Sequence, residues 1–95
     1  MITATQIRMA RAALGWGVRD LAKKAGLSAN TVSRFENGAG AMADTLQLMQ
    51  EALEEAGITF IPADEMAGPG VRLREMGKRQ QPSRRSAKPR VQQRR

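Results

Sequence analysis

Apolar residues in the first 57 positions recur at the spacing of α-helices. Ile7, Ala10 and Leu14 lie three and four residues apart, so they share one face of a helix over about residues 5–14. Thr3 or Thr5 can cap this helix, and Gly15 ends it. Three further segments are predicted helices: Val18–Ala25, which Gly26 stops; Ala29 to about Asn37, which Ser28 caps; and a fourth that Asp44 caps, with an apolar stripe at Leu46, Met49, Leu53 and Ala56 before Gly57.

After Gly57 the pattern changes to that of β-strands. Residues 58–61 are β-branched or aromatic, and residues 71–74 alternate apolar and basic side chains across a loop that contains Gly68-Pro69-Gly70. A two-stranded ribbon alone is marginal in water, so we expect it either to pack on the fourth helix or to pair with a second copy of the chain. The candidate dimerisation residues are Ile58, Phe60, Val71 and Leu73.

The charge is divided unevenly along the chain. Sixteen Lys and Arg against nine Asp and Glu give a formal net charge of +7, which indicates a polyanionic partner. Residues 1–71 hold six bases and eight acids, a net −2, whereas residues 72–95 hold ten bases and one acid, a net +9. From Gly77 onward Val91 is the only large apolar residue, so this segment is predicted to be a disordered basic tail, either a nucleic-acid arm or a solvated segment with no specific partner.

These patterns predict an all-α fold of four to five helices with a short C-terminal β-strand pair. The division is residues 1–57 as the helical domain, 58–76 as the two-strand segment and 77–95 as the tail.

Composition excludes several classes of function. The chain has no Cys and no His, which rules out disulfides, Cys/His zinc sites and catalysis by a thiolate or an imidazole. Its carboxylates are scattered, and no nucleophile has a base beside it, so we predict no enzyme, no metal and no cofactor. No apolar run is long enough to span a bilayer, and residues 1–13 lack the unbroken apolar core of a secretory signal. The expected location is the cytoplasm, without a membrane partner.

The stretch from Val18 to Asn37, VRDLAKKAGLSANTVSRFEN, holds two short helices joined at Gly26. This is the pattern of a helix-turn-helix, in which the second helix enters the major groove of DNA. The side chains left on the outer face of that helix are Ala29, Asn30, Ser33 and Arg34.

Residues 5 to about 57 resemble the lambda-repressor-like, Xre-type DNA-binding domain. The motif that carries the resemblance is L-A-x-x-A-G-L-S-x-x-T-V-S-R-x-E-N-G over Leu21–Gly38. The resemblance implies a bacterial or phage, nucleoid-associated transcriptional regulator that binds a palindromic or repeated double-stranded DNA operator as a homodimer. It also implies that Ala29, Asn30, Ser33 and Arg34 face bases, that Ser28, Thr31 and Asn37 lie near phosphates, and that Arg11 and Glu36 form a structural ion pair.

Individual side chains have alternative roles. A guanidinium such as that of Arg34 can bind guanine O6 and N7, or it can contact a phosphate or pair with an acidic neighbour; Asn30 can bind adenine or bond locally to the backbone. Further candidate contacts to the DNA backbone come from the second helix and the tail, namely Arg19, Lys23, Arg84 and Arg85.

The sequence is compatible with three functions. The first is a dimeric, sequence-specific repressor. The second is the antitoxin of a toxin-antitoxin pair, and the third is a module whose basic tail binds nucleic acid without sequence preference or an acidic protein.

Overall fold

The computed structural model of the protein describes residues 2–74. They form four helices followed by an antiparallel hairpin: α1 Ala4–Leu14, α2 Val18–Ala25, α3 Ala29–Glu36, α4 Ala43–Glu55, β1 Ile58–Ile61 and β2 Gly70–Leu73. The predicted helical fold with a strand pair is confirmed. The predicted disordered tail, with Arg84 and Arg85, lies outside the described residues. Within residues 2–74 no helix is both long and apolar enough to cross a bilayer.

Short-range hydrogen bonds define both ends of the first helix. Thr3 Oγ1 accepts from the Gln6 backbone N–H at 3.1 Å, and Gln6 Oε1 accepts from the Thr3 N–H at 3.0 Å, so Thr3 and not Thr5 is the cap. At the other end Gly15 takes a left-handed conformation, with φ of 70°, and its N–H bonds the last carbonyls of α1. Gly26 ends α2 in the same way, with φ of 74°.

The predicted cap of the fourth helix is wrong. α4 begins after Met42, whose side chain accepts no hydrogen bond, and Asp44 is the second residue of the helix. A carboxylate inside the first turn still interacts favourably with the positive end of the helix dipole, so acidic residues occur both at the cap and just after it. At the far end α4 runs to Glu55, Ala56 is its C-cap, and Gly57 follows with a positive φ of 110°.

The core is shared by all four helices and the hairpin. Each helix contributes buried side chains to this core. Leu14 and Phe35 are only half-buried and pack against the core. The largest side chains with no exposed surface are Ile7, Leu21, Val32, Met49, Leu53 and Ile58. Because Ile58 belongs to β1, the hairpin is part of this core and not an appendage to it.

The hairpin packs on the molecule's own helices through one of its faces. The register pairs Ile58 with Leu73 and Phe60 with Val71, and β1 contacts α4 while β2 contacts α1. All four of these side chains pack against the core, although they are the predicted dimerisation residues. Ile58 has no exposed surface, so its side chain is not available to a second copy.

Candidate nucleic-acid interface

The candidate interface is built around α3, and Ser28 fixes where this helix begins. Ser28 Oγ accepts from the Thr31 backbone N–H at 3.1 Å, and the two hydroxyl oxygens lie 2.8 Å apart in a second hydrogen bond. Either hydroxyl can donate that bond, so the hydrogen of the other is free to point outward. A cap at this position can therefore also serve as a hydrogen-bond donor at the helix N-terminus.

The outer face of α3 presents two exposed polar side chains. Asn30 and Arg34 are four residues apart and both exposed, which places them on one side of the helix. Ser33 is half-buried beside them, whereas Ala29 is partly buried and packs against the core. Of the four residues expected to face bases, Asn30 and Arg34 are thus the two that are exposed.

Arg34 forms no ion pair within the described part of the chain. Among residues 2–74 the only salt bridge joins Arg11 and Glu36, so Arg34 is paired with neither Glu36 nor Asp20. Its guanidinium is therefore not held by a carboxylate of its own domain.

The C-terminal end of α3 is tied to α1 by a two-pronged ion pair. Arg11 Nε and Nη2 donate to the two carboxylate oxygens of Glu36, both at 2.7 Å, and Arg11 Nη1 donates to the Trp16 carbonyl at 3.0 Å. The side chains of Arg11 and Glu36 are only 19% and 5% exposed. The hydrogen bond to Glu36 raises the pKa of Arg11, and Coulombic attraction adds to this effect against the opposing cost of burial.

A second arginine reinforces this connection. The Arg8 guanidinium donates to the backbone carbonyl of Glu36, one of the terminal carbonyls of α3. The sequence did not single out Arg8, because an exposed arginine on a helix surface has no pattern that separates it from a solvated residue. Together Arg8 and Arg11 fix one end of α3, and Ser28 caps the other.

Helix α2 contributes exposed bases beside α3. Arg19 and Lys23 are both exposed, as is Lys24. At the start of α2 the Asp20 carboxylate accepts a hydrogen bond from the Gly17 N–H at 2.7 Å. This acidic group therefore lies at the N-terminus of α2. The cations of α2 therefore lie along its exposed surface, while its first turn is capped by an acid.

The segment between α3 and α4 forms one side of a groove next to Arg34. Asn37, the C-cap of α3, is exposed. The groove has a volume of about 200 Å³, and residues from both helices and from the loop between them line it, namely Thr31, Arg34, Gly40, Ala41, Met42 and Thr45. The N-terminal end of α4, which has no side-chain cap, therefore borders this groove at Met42 and Thr45.

The folded part of the chain has no net charge. Residues 1–74 contain eight basic and eight acidic side chains, so the entire formal charge of +7 belongs to residues 75–95. The exposed bases of α2 and α3 thus belong to a domain that has no net charge overall.

Two comparisons bear on this arrangement. A family model described as helix-turn-helix matches residues 7–59, more than half of the chain and all of α2, α3 and α4. No curated protein matches the chain.

Proposed function

This chain belongs to the Xre-type, lambda-repressor-like helix-turn-helix family of DNA-binding transcription regulators, and we propose that it is a repressor that binds a two-fold symmetric operator as a homodimer. The observation that carries the proposal is the exposed, polar outer face of α3 on a helix that is held at both ends. A repressor of this kind acts by occupying promoter DNA in the cytoplasm, and it needs no catalytic group.

In the proposed complex α3 lies in the major groove and reads bases through Asn30 and Arg34. A guanidinium can donate two parallel hydrogen bonds to guanine O6 and N7, and a carboxamide can pair with adenine N6 and N7. Arg34 has no ion-pair partner among residues 2–74, which supports this role, since no contact within that part of the chain has to be broken. Ser33 and Ala29 then shape the fit to the groove at shorter range.

Contacts to the phosphates flank this reading face. The free hydroxyl hydrogen of the Ser28–Thr31 pair and the side chain of Asn37 stand at the two ends of α3, and Arg19 and Lys23 lie on α2. Such contacts fix the register of a protein on the duplex without carrying sequence information.

Long-range attraction to DNA comes from the tail in this proposal. Because residues 1–74 have no net charge, they attract a polyanion only through local patches. The tail bases, Arg84 and Arg85 among them, neutralise phosphates and release counterions, which adds affinity without choosing a sequence.

The dimer forms through the hairpin backbone. The Arg74 N–H donates to the Gly57 carbonyl at 2.8 Å, and since ladder bonds alternate along antiparallel strands, Val71 and Leu73 direct their N–H and C=O groups away from β1. A β2 strand from a second copy can pair with this open edge. Strands of four residues make a small interface, so we expect the dimer to be weak alone and to be stabilised by adjacent half-sites.

The test is a selection of duplexes from a randomised pool with the full chain. The wild type should enrich a symmetric motif. Arg34→Ala should lose the preference at one base pair in each half-site, at a cost of about 1–3 kcal/mol. Lys23→Ala is the matched control, because it removes a cation proposed to bind phosphate. This variant should bind all sequences more weakly by the same factor, and the slope of log affinity against log salt concentration should fall by about one.

Two outcomes would contradict the proposal. Equal retention of all sequences by the wild type would favour a module that binds nucleic acid through its tail without preference. An Arg34→Ala variant with an unchanged motif would remove Arg34 from the base-reading set.

A further inference from the structure

We propose that Gln6 is a positioning residue that sets the spacing between the two half-sites the dimer recognises. The inference rests on the proposed dimer through the hairpin. It concerns a buried amide that joins the hairpin to α1, and it predicts an effect on spacing that is separate from base reading.

Gln6 is a buried polar side chain that bonds three backbone groups. It is 2% exposed. Its Nε2 donates to the carbonyls of Ile61 at 3.1 Å and Gly70 at 3.0 Å, and its Oε1 accepts from the Thr3 N–H. Ile61 and Gly70 are register partners at the loop end of the hairpin, so one amide holds the last residue of β1 and the first of β2.

The hairpin has a second attachment at its opposite end. The Arg74 guanidinium donates to the Glu54 carbonyl at 2.7 Å, and the Arg74 N–H bonds Gly57. The root of the hairpin, where β1 begins and β2 ends, is therefore fixed to α4. Its loop end is fixed to α1 through Gln6. Loss of the Gln6 bonds alone would remove the polar attachment at the loop end and would leave the Arg74 bonds and the packed side chains of the hairpin in place. Any change in the angle of the hairpin would then be largest at its loop end.

Helix α1 carries both this attachment and the one that holds the recognition helix, α3. Arg11, which binds Glu36 of α3, lies five residues after Gln6 on the same helix. The chain of contacts runs from α3 through Arg11 to α1 and through Gln6 to the hairpin. If the hairpin pairs with a second copy, this chain fixes the distance between the two α3 helices, which is the distance that half-site spacing must match.

The packing around Gln6 leaves room for such a movement. A groove of about 350 Å³ opens beside it, and the groove is lined by Ile2, Thr3, Gln6, Gln50, Phe60, Pro62, Ala63 and Pro69. The hydrogen bonds of Gln6 therefore attach the loop end of the hairpin beside a groove that side chains do not fill, whereas Phe60 and Val71 pack against the core further along the strands.

The experiment measures binding of the full chain to duplexes that carry two selected half-sites separated by successive single base-pair insertions. The wild type should prefer one spacing. Gln6→Leu, which is similar in size but cannot bond the two strand carbonyls, should lose most of that preference while it keeps the base preference within each half-site. Gln50→Leu is the matched control, because Gln50 lines the same groove but bonds only Glu54 of its own helix.

If Gln6 had only a structural role, its replacement would lower the stability of the protein and weaken binding to duplexes of every spacing by the same factor. If Gln6→Leu does not fold, Gln6→Glu serves instead, since its ionised carboxylate can accept from the Thr3 N–H but has no hydrogen to donate to the two strand carbonyls. Amide exchange should then be faster at the loop end of the hairpin than at its root. A folded Gln6 variant with an unchanged spacing preference would overturn this inference and leave the proposed dimer intact. A wild type that shows no spacing preference and no dimer would overturn both the proposed dimer and this inference.

Discussion

The side chain of Arg11 joins three separate parts of the domain at one point. Its guanidinium bonds both oxygens of Glu36 on α3 and the carbonyl of Trp16, so the start of the loop after α1 and the end of α3 share one cation. An almost fully buried carboxylate such as that of Glu36 is tolerated because this partner satisfies it. The position of the recognition helix therefore depends strongly on a single residue outside it.

Replacing Arg11 should be costly for stability. Arg11→Met leaves the Glu36 carboxylate buried without a cation, and we expect the free energy of unfolding to fall by about 3–5 kcal/mol. Arg8→Met, which removes an exposed donor to the Glu36 carbonyl, is the control and should cost at most about 1.5 kcal/mol. Urea denaturation measures both, and equal losses in the two variants would contradict the interpretation.

The same ion pair should not respond to pH in the neutral and alkaline range. The pKa of Arg11 is raised above the already high value of an arginine, and a raised folded-state pKa gives stability that is lost only as the pH rises through that value. The difference in unfolding free energy between wild type and Arg11→Met should accordingly stay constant from about pH 7 to pH 10. A difference that shrinks over this range would show that another group titrates at the site.

At this scale the sequence predicted some roles and not others. Ser28, Arg34 and Glu36 stand in a motif whose spacing assigns them a place. Gln6 and Arg8 bond backbone carbonyls that are distant in the sequence, and a carbonyl belongs to every residue, so no pattern of side chains indicates such a partner. The Thr3–Gln6 capping box has a recognisable spacing, but its link to the hairpin does not.

At the scale of elements, helix ends were predictable where a local rule decides them. Gly15 and Gly26 end their helices because a left-handed residue is needed there. The start of α4 was not predictable from Asp44, since acidic residues are favourable at several positions of the first turn. The inward orientation of the strands followed from alternation, but whether the buried face meets the chain's own helices or a second copy depends on tertiary contacts.

The hairpin edge gives a test of dimerisation. Leu73 directs its N–H away from β1, so Leu73→Pro should leave the ladder within the chain intact but block a second β2 strand. Leu73→Ala is the matched control, because it removes the half-buried side chain and keeps the N–H. Sedimentation on operator DNA should show a dimer with Leu73→Ala and a monomer with Leu73→Pro. If both variants sediment as dimers, the β2 edge is not the dimer interface.

At the scale of the whole molecule, the proposed function assigns affinity and sequence choice to different parts of the chain. Residues 77–95 carry eight bases and no acid, so their removal leaves a net charge of −1. Composition alone indicated a basic binder, and only the position of each charge shows that the folded body is neutral. The tail itself lies outside the described residues, so its role stays a prediction.

Deleting residues 77–95 should weaken binding to all duplexes and flatten the dependence on salt, by about 0.9 in slope for each phosphate that the tail no longer neutralises. The preferred base sequence should not change, because α3 is intact. A chain with the tail residues in shuffled order is the control and should bind as the wild type does. A truncated protein that loses its base preference would show that the tail contributes to sequence choice.

Trp16 has a practical consequence for watching the recognition helix. It is the only tryptophan, and the chain has no tyrosine, so the near-ultraviolet emission of the protein comes almost entirely from one half-buried indole. The carbonyl of that residue is held by the same guanidinium that holds Glu36. We therefore expect a loss of the Arg11 contacts to change the fluorescence of Trp16, which can be recorded without a label during DNA titration or unfolding.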